Sequence, residues 1–181
     1  MINKDDLIRA YDELSSPSDD AAEVYNGIVS SITKDLDDVM QEVYREVVLQ
    51  EDAPVDKVQN LFLKLGNYVY FFGARVEKLG LDSDLAENLM KEKYNNSYND
   101  NLMNPDGKKR TANELTAIAE AASLSETVLN DIYKRVYKTV KFKVDSAQSM
   151  VASLSKVLSK KMQEMNFSSG FDQNSSRILM E

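Results

Sequence analysis

One stretch without glycine or proline, from Leu124 to Met165, constrains the fold more than any other part of the chain. Apolar residues recur along it in steps of three and four, the spacing that places them on one side of an α-helix. At 1.5 Å per residue this helix would be roughly 60 Å long. That length exceeds the core of a small compact domain, so the stretch predicts packing along another long helix, of this chain or of a second copy. The apolar residues are Val128, Ile132, Val136, Val140, Val144, Ala147, Val151, Leu154, Leu158, Met162 and Met165.

Three further helices are predicted from the same periodicity, over residues of about 20–50, 54–79 and 83–98. Pro54 fits the first turn of the second helix, where its missing N–H leaves no bond unmade. Gly80 fits the end of that helix as a C-cap, and Asp82 or Ser83 fits the start of the next.

Gly66 and Gly73 fall inside the predicted helix 54–79, two turns apart on one face. A glycine within a helix costs about 1 kcal/mol relative to alanine. We therefore expect another helix backbone or an aromatic ring to lie close to these two positions.

These patterns predict an all-α fold: an elongated bundle of long amphipathic helices with coiled-coil-like packing. We expect one helical domain over residues 1–165 and a flexible tail over 166–181, where Ser and Asn are frequent. Helices this long need more partner surface than one copy supplies, so we also expect a homo-oligomer.

The absence of cysteine and histidine excludes several function classes. Without these residues there is no disulfide, no zinc site of the usual ligands and no Ser-His or Cys-His nucleophile. We predict a protein that is not an enzyme, with no cofactor, metal or small-molecule substrate. No apolar run reaches 18 residues and no signal-peptide core is seen, so we expect a cytoplasmic protein with no membrane partner.

Charge is divided unevenly along the chain. Residues 1–107 hold 10 basic and 22 acidic residues, a net charge of −12, whereas residues 108–181 hold 12 and 8, a net charge of +4. Three interpretations are open: the two halves pair with each other, the basic half binds a polyanion, or the division is ordinary variation of charge on solvent-exposed helix surfaces.

The densest basic run lies within the long final stretch, from Lys134 to Lys143. On a helix, Lys134, Lys138 and Lys141 fall within about 60° of one another and face away from the apolar side. Tyrosines interleave with them, as on surfaces that follow a nucleic-acid backbone and stack bases. The candidate nucleic-acid-binding residues are Lys91, Lys93, Tyr94, Lys108, Lys109, Arg110, Lys134, Arg135, Tyr137, Lys138 and Lys141, with Tyr133 as a further stacking ring.

Residues 83–165 resemble the small phage recombination-mediator proteins of the T4 type in the order of their parts. A helix with Lys91, Lys93 and Tyr94 precedes a basic turn over 107–110, a Thr-x-x-Glu helix start and a long final helix. The resemblance implies a ring-forming viral protein of DNA recombination that binds single-stranded DNA and partners a recombinase or replication protein. It also implies that Lys91, Lys93 and Tyr94 contact the strand. This chain departs from the family by about 80 additional N-terminal residues, by its acidity and by Asn99-Asp100-Asn101 in place of an aromatic doublet.

Two other functions remain open from the sequence. In a structural or scaffolding oligomer, the basic run would pair with acidic residues of the same or a neighbouring subunit. In an inhibitor protein, an acidic helix face would occupy a nucleic-acid groove on a target enzyme. That face consists of Asp35, Asp37, Asp38, Glu42 and Glu46.

Overall fold

The computed structural model of the protein describes residues 19–50 and 52–178, with side chains for residue 23 and for 25–50 and 52–167. These residues form four α-helices: α1 (Asp19–Val43), α2 (Val55–Asp100), α3 (Ala112–Ala122) and α4 (Leu124–Ile178). Within this part of the chain the only extended pairing is an isolated bridge between Met103 and Lys109. The prediction of an all-α bundle is confirmed. The residues before 19 and those after 178 lie outside the described ranges.

The described chain divides into two compact units. Unit 1 contains the residues up to Ile32 and Ala74–Lys141, and unit 2 contains Thr33–Gly73 and the residues from Phe142 onward. Because α1, α2 and α4 each continue from one unit into the other, the prediction of a single domain over 1–165 stays a prediction.

Long helices lie antiparallel within each unit. In unit 2, Glu42 and Glu46 of the α1 region contact Lys64 and Lys57 of α2, an order that makes the two segments antiparallel. In unit 1, α2 and α4 are also antiparallel, because residues 80, 87 and 90 meet residues 137, 134 and 130 in turn.

The cores contain most of the predicted apolar positions. In the α1 seam Leu36, Val39 and Val43 are buried, and in α2 the fully buried positions include Val58, Leu65 and Phe72. In α4 the buried positions are Val136, Val140, Val144, Ala147 and Leu154. Met162 and Met165, the last two members of the predicted α4 seam, are instead more than half exposed. Burial of that seam therefore ends short of its predicted limit.

Between α1 and α2 the backbone first widens into one π-helical turn, Tyr44–Val48, in which Leu49 N–H donates to Tyr44 O at 3.0 Å. Pro54 then precedes the first residue of α2, and its carbonyl accepts from Lys57 and Val58 N–H, both at 3.1 Å. The helix begins at Val55, one residue after the predicted start at residue 54.

The predicted break at Gly80 is wrong. The predicted helices 54–79 and 83–98 form one continuous helix, α2, of 46 residues. Gly80 lies inside this helix, and the Tyr137 ring of α4 packs beside it: a Cβ at Gly80 would be in van der Waals contact with a carbon of that ring, at 3.4 Å. The glycine therefore faces a neighbouring helix and does not end its own.

The predicted close approach at Gly66 and Gly73 is not found among the described residues. A Cβ added at either position would meet nothing within 4 Å. The aromatic ring that the sequence led us to expect at these glycines lies at Gly80 instead.

A short loop connects α2 to α3. Gly107, at φ 74°, donates its N–H to Asn104 O at 2.9 Å, which forms the turn predicted from Asn104-Pro105-Asp106-Gly107. The capping box at the start of α3 is also confirmed: Thr111 Oγ1 accepts from Glu114 N–H, and the Glu114 carboxylate accepts from Thr111 N–H at 2.8 Å. These bonds satisfy amide groups that the first helical turn leaves open.

A single residue, Ser123, separates α3 from α4, and α4 runs for 55 residues. Its predicted end near 165 is wrong, because residues 166–178 continue the helix; the flexible tail predicted over 166–181 stays a prediction. Extending an existing helix fixes one residue per added bond, so a single glycine and several Ser and Asn residues do not end it.

Candidate nucleic-acid interface

The buried face of α4 determines which cations of the basic run are accessible. Val136 and Val140 are completely buried. Residues about 100° or more away from them around the helix therefore lie at its edge or on its outer face. Arg135, Lys138 and Lys141 are exposed there and form no ion pair with an acidic residue in the described ranges. We call these three residues the α4 cation group.

Tyr137 has a double role in this region. Its ring packs beside Gly80 of α2 and is half-buried there. Lys141 Nζ lies 5.9 Å from the centre of the same ring, within cation–π range. Tyr137 thus positions one member of the α4 cation group, and only part of its ring is available for stacking.

Two predicted binding lysines are engaged within unit 1. Lys134 Nζ of α4 lies 2.7 Å from Glu87 Oε2, and Lys91 contacts the other oxygen of the same carboxylate. Hydrogen bonds from Lys134 and then Lys91 lower the pKa of Glu87 to about 2. The structure brings Lys91 and Lys134 together, but around an acid and not around an open surface.

Lys143, the last cation of the basic run, is engaged within unit 2. Its ammonium lies 2.5 Å from Asp37 Oδ2 and donates to Thr33 Oγ1 at 3.0 Å. The Thr33 hydroxyl, which is fully buried, donates to Asp37 at 2.7 Å. Lys143, Asp37 and Thr33 thus form a polar contact that joins α1 to α4 within unit 2.

The acidic face of α1 is largely neutralised by nearby lysines. Asp37 pairs with Lys143, while Glu42 and Glu46 pair with Lys64 and Lys57 of α2. The hydrogen bond from Lys57 is the main cause of a lowered pKa at Glu46. Asp35 and Asp38 are exposed and form no ion pair with any described residue. Two carboxylates of the five therefore remain open to a basic partner.

The loop cations differ from one another. Lys108 and Lys109 are exposed. Arg110 is partly buried, and its guanidinium donates to Asn101 O at 2.9 Å and to Asn101 Oδ1 at 3.2 Å. Arg110 thus holds the loop closed, and the two lysines before it are the loop cations open to a ligand.

The predicted helix motif around Tyr94 is also divided. Lys93 is exposed, while the half-buried Tyr94 ring stacks on Tyr98 with centroids 6.3 Å apart. Tyr94 and Lys91 help to line a mostly apolar pocket of about 420 Å³ formed by α2, α3 and the start of α4. One face of Tyr94 is thus already covered by a protein ring.

Tyr133 lies half-buried on α4. Its burial, with a smaller contribution from Asp82, raises the pKa of its hydroxyl. It stays a neutral ring at physiological pH.

Sequence reasoning did not identify Glu87 or Asn130 as important residues. Glu87 lies four residues before Lys91, a helical spacing that indicates an ion pair, but the second partner comes from α4. Asn130 is 4% exposed, with its amide nitrogen 3.6 Å from Met90 Sδ and its carbonyl oxygen without a hydrogen-bond partner in the described part of the chain. Asn130 lies outside the apolar seam predicted for this helix, so the periodicity gave no indication that its side chain is buried.

The described residues lack two other kinds of feature. These residues contain no group of three or more acidic residues placed to hold a metal ion. None of the described helices has a segment both long enough and apolar enough to cross a bilayer. Comparisons with protein-family models, with curated proteins and with solved structures found no match to this chain.

Proposed function

We propose that the protein is a non-enzymatic, oligomeric accessory protein that binds single-stranded nucleic acid through the α4 cation group. The observation that supports this is the exposure of Arg135, Lys138 and Lys141 on one side of α4 without acidic partners in the described ranges. Unpaired cations at helical spacing neutralise phosphates and release condensed counterions.

Three more open cations are available in unit 1, namely Lys93, Lys108 and Lys109. These three lysines increase the number of phosphates that one copy can neutralise. The Tyr137 ring, half-buried and beside Lys141, keeps part of its surface available to contact a base of a flexible strand. By the resemblance to recombination mediators, the strand is DNA and the protein partner is a recombinase or replication protein.

The test is fluorescence anisotropy with a labelled 30-nucleotide oligothymidylate at 50 mM salt. We expect the combined variant Arg135→Glu, Lys138→Glu, Lys141→Glu to lose binding, because it replaces the three open cations by anions. Helix content should not change, since all three side chains are exposed.

A matched control separates a local site from general charge. Lys34, Lys156 and Lys160 are exposed residues of unit 2. Their combined change to Glu alters the net charge by the same amount. The proposal predicts that the control retains most of the affinity; equal loss in both variants, or retained affinity in the first, would refute the assignment to α4.

A scaffolding function is the second candidate, and a specific observation favours it. Lys134 and Lys143 of the basic run are paired with carboxylates of their own unit, as expected if the run serves structure, and Lys91 of α2 shares the carboxylate of Lys134. This function predicts an oligomer that shows no affinity for the oligonucleotide at any salt concentration.

A further inference from the structure

A row of exposed side chains on α2 carries an apolar centre with an opposite charge at each end. Leu81, Leu85 and Leu89 are 70%, 58% and 41% exposed, although they belong to a helix whose other side is buried. Lys78 precedes them and Glu92 follows them, both exposed and without an ion-pair partner in the described ranges. All five residues belong to unit 1. We call them the α2 stripe.

The five residues lie on one line of the helix surface. At 100° per residue, Leu81 and Leu89 lie about 40° to either side of Leu85, and Lys78 and Glu92 about 20° to either side. Along the axis, Lys78 and Glu92 are each seven residues from Leu85, or about 10.5 Å. Leu85 is therefore the centre of a stripe whose two ends are equidistant and oppositely charged.

This symmetry makes the stripe complementary to itself in one orientation. If a second copy lies antiparallel, with Leu85 facing Leu85, then Leu81 of each copy faces Leu89 of the other. The same operation brings Lys78 of each copy opposite Glu92 of the other, so the interface contains two such pairs. A two-fold interface requires such self-complementarity. A parallel arrangement would place Lys78 against Lys78 and Glu92 against Glu92.

We propose that the α2 stripe is the contact by which two copies of this chain pair antiparallel. The proposal deepens the oligomeric part of the proposed function and does not require nucleic-acid binding. A standard protein–protein interface buries about 800 Å² of surface on each partner. Three leucines and two flanking charged residues on each copy bury less than that. The dimer is therefore reversible, and its population rises with protein concentration.

The test is sedimentation velocity on the full chain from 2 to 200 µM, without oligonucleotide. We expect the wild-type protein to sediment faster as its concentration rises. Leu85→Asp places two carboxylates together at the two-fold axis and should leave a monomer throughout. Leu124→Asp is the matched control: Leu124 is 57% exposed in the same unit, and its replacement should leave self-association unchanged.

Charge exchange tests the antiparallel register. Either single variant, Lys78→Glu or Glu92→Lys, turns the two attractive contacts between positions 78 and 92 of the dimer into repulsive ones. We expect it to weaken self-association about tenfold. The double variant Lys78→Glu, Glu92→Lys restores both pairs and should recover wild-type association. Far-ultraviolet circular dichroism verifies that each variant is folded.

Three results would overturn the proposal: a wild-type monomer at every concentration, association that persists in Leu85→Asp, or single charge variants that behave as the wild type. Because no oligonucleotide is present, none of these results bears on the binding by the α4 cation group, and loss of that binding would leave this proposal standing.

Discussion

Replacing the buried Asn130 by leucine should stabilise the protein. The side chain is 4% exposed, and its carbonyl oxygen accepts no hydrogen bond from the described residues. Its amide nitrogen donates to the Met90 sulfur at 3.6 Å, and sulfur is a weak acceptor. A buried polar group without a partner costs about 1–3 kcal/mol, and leucine has nearly the same size with no polar atom to satisfy.

The magnitude has two parts. Removal of the unsatisfied oxygen contributes about 2 kcal/mol, and the better helix propensity of leucine adds up to about 0.5 kcal/mol. For a chain of this length each kcal/mol raises Tm by about 2–4 °C, so we expect an increase of about 4–10 °C. Asn60→Leu, at an exposed position of α2 in unit 2 and away from the α2 stripe, is the control that reports the propensity part alone.

Urea unfolding followed by circular dichroism, at one fixed protein concentration, measures both variants. We expect a higher midpoint for Asn130→Leu than for Asn60→Leu, at an unchanged slope. A lower midpoint than the wild type would refute it, because it would mean that the Asn130 amide makes bonds whose loss outweighs the removal of a polar group.

Three further predictions concern glycine, pH and capping. Gly66→Ala and Gly73→Ala should each raise the free energy of unfolding by about 1 kcal/mol, since an added Cβ meets no described atom within 4 Å; a loss of stability in thermal unfolding would contradict this. Glu87 should titrate by NMR with a midpoint of about 2, and Lys134→Ala should move the midpoint towards 4.5. Because that pKa is depressed, the stabilisation from Glu87 is complete above pH 4.5 and is lost as the pH falls towards 2; a midpoint near 4.5 in the wild type would disprove the ion pairs. Thr111→Ala should cost about 1 kcal/mol in chemical unfolding through loss of the cap, and Thr111→Ser, which keeps the hydroxyl, should cost much less.

The helices were predictable from sequence because their information is local. Steps of three and four identified Val136 and Val140 as buried, and the Thr111 capping box needs only residues three apart. The role of Gly80 was not predictable in this way. A glycine shortly before Asp and Ser is a pattern that predicts the end of one helix and the start of another. Only the tertiary fold brings the Tyr137 ring, 57 residues later, beside Gly80.

The candidate site shows the same division. Helix geometry predicted that Lys138 and Lys141 face outward, and they are exposed. It could not predict that Lys134, one turn earlier on nearly the same face, meets Glu87 of α2. Pairing across helices depends on their register, which the sequence pattern leaves undetermined.

The most direct test of the central claim is the salt dependence of affinity for the labelled oligothymidylate from 50 to 300 mM. Each phosphate neutralised on a single strand contributes about −0.7 to the slope of log K against log salt. The α4 cation group alone predicts a slope of about −2, and participation of Lys93, Lys108 and Lys109 predicts about −4. Absence of binding at 50 mM, or an affinity that does not change with salt, would contradict the account.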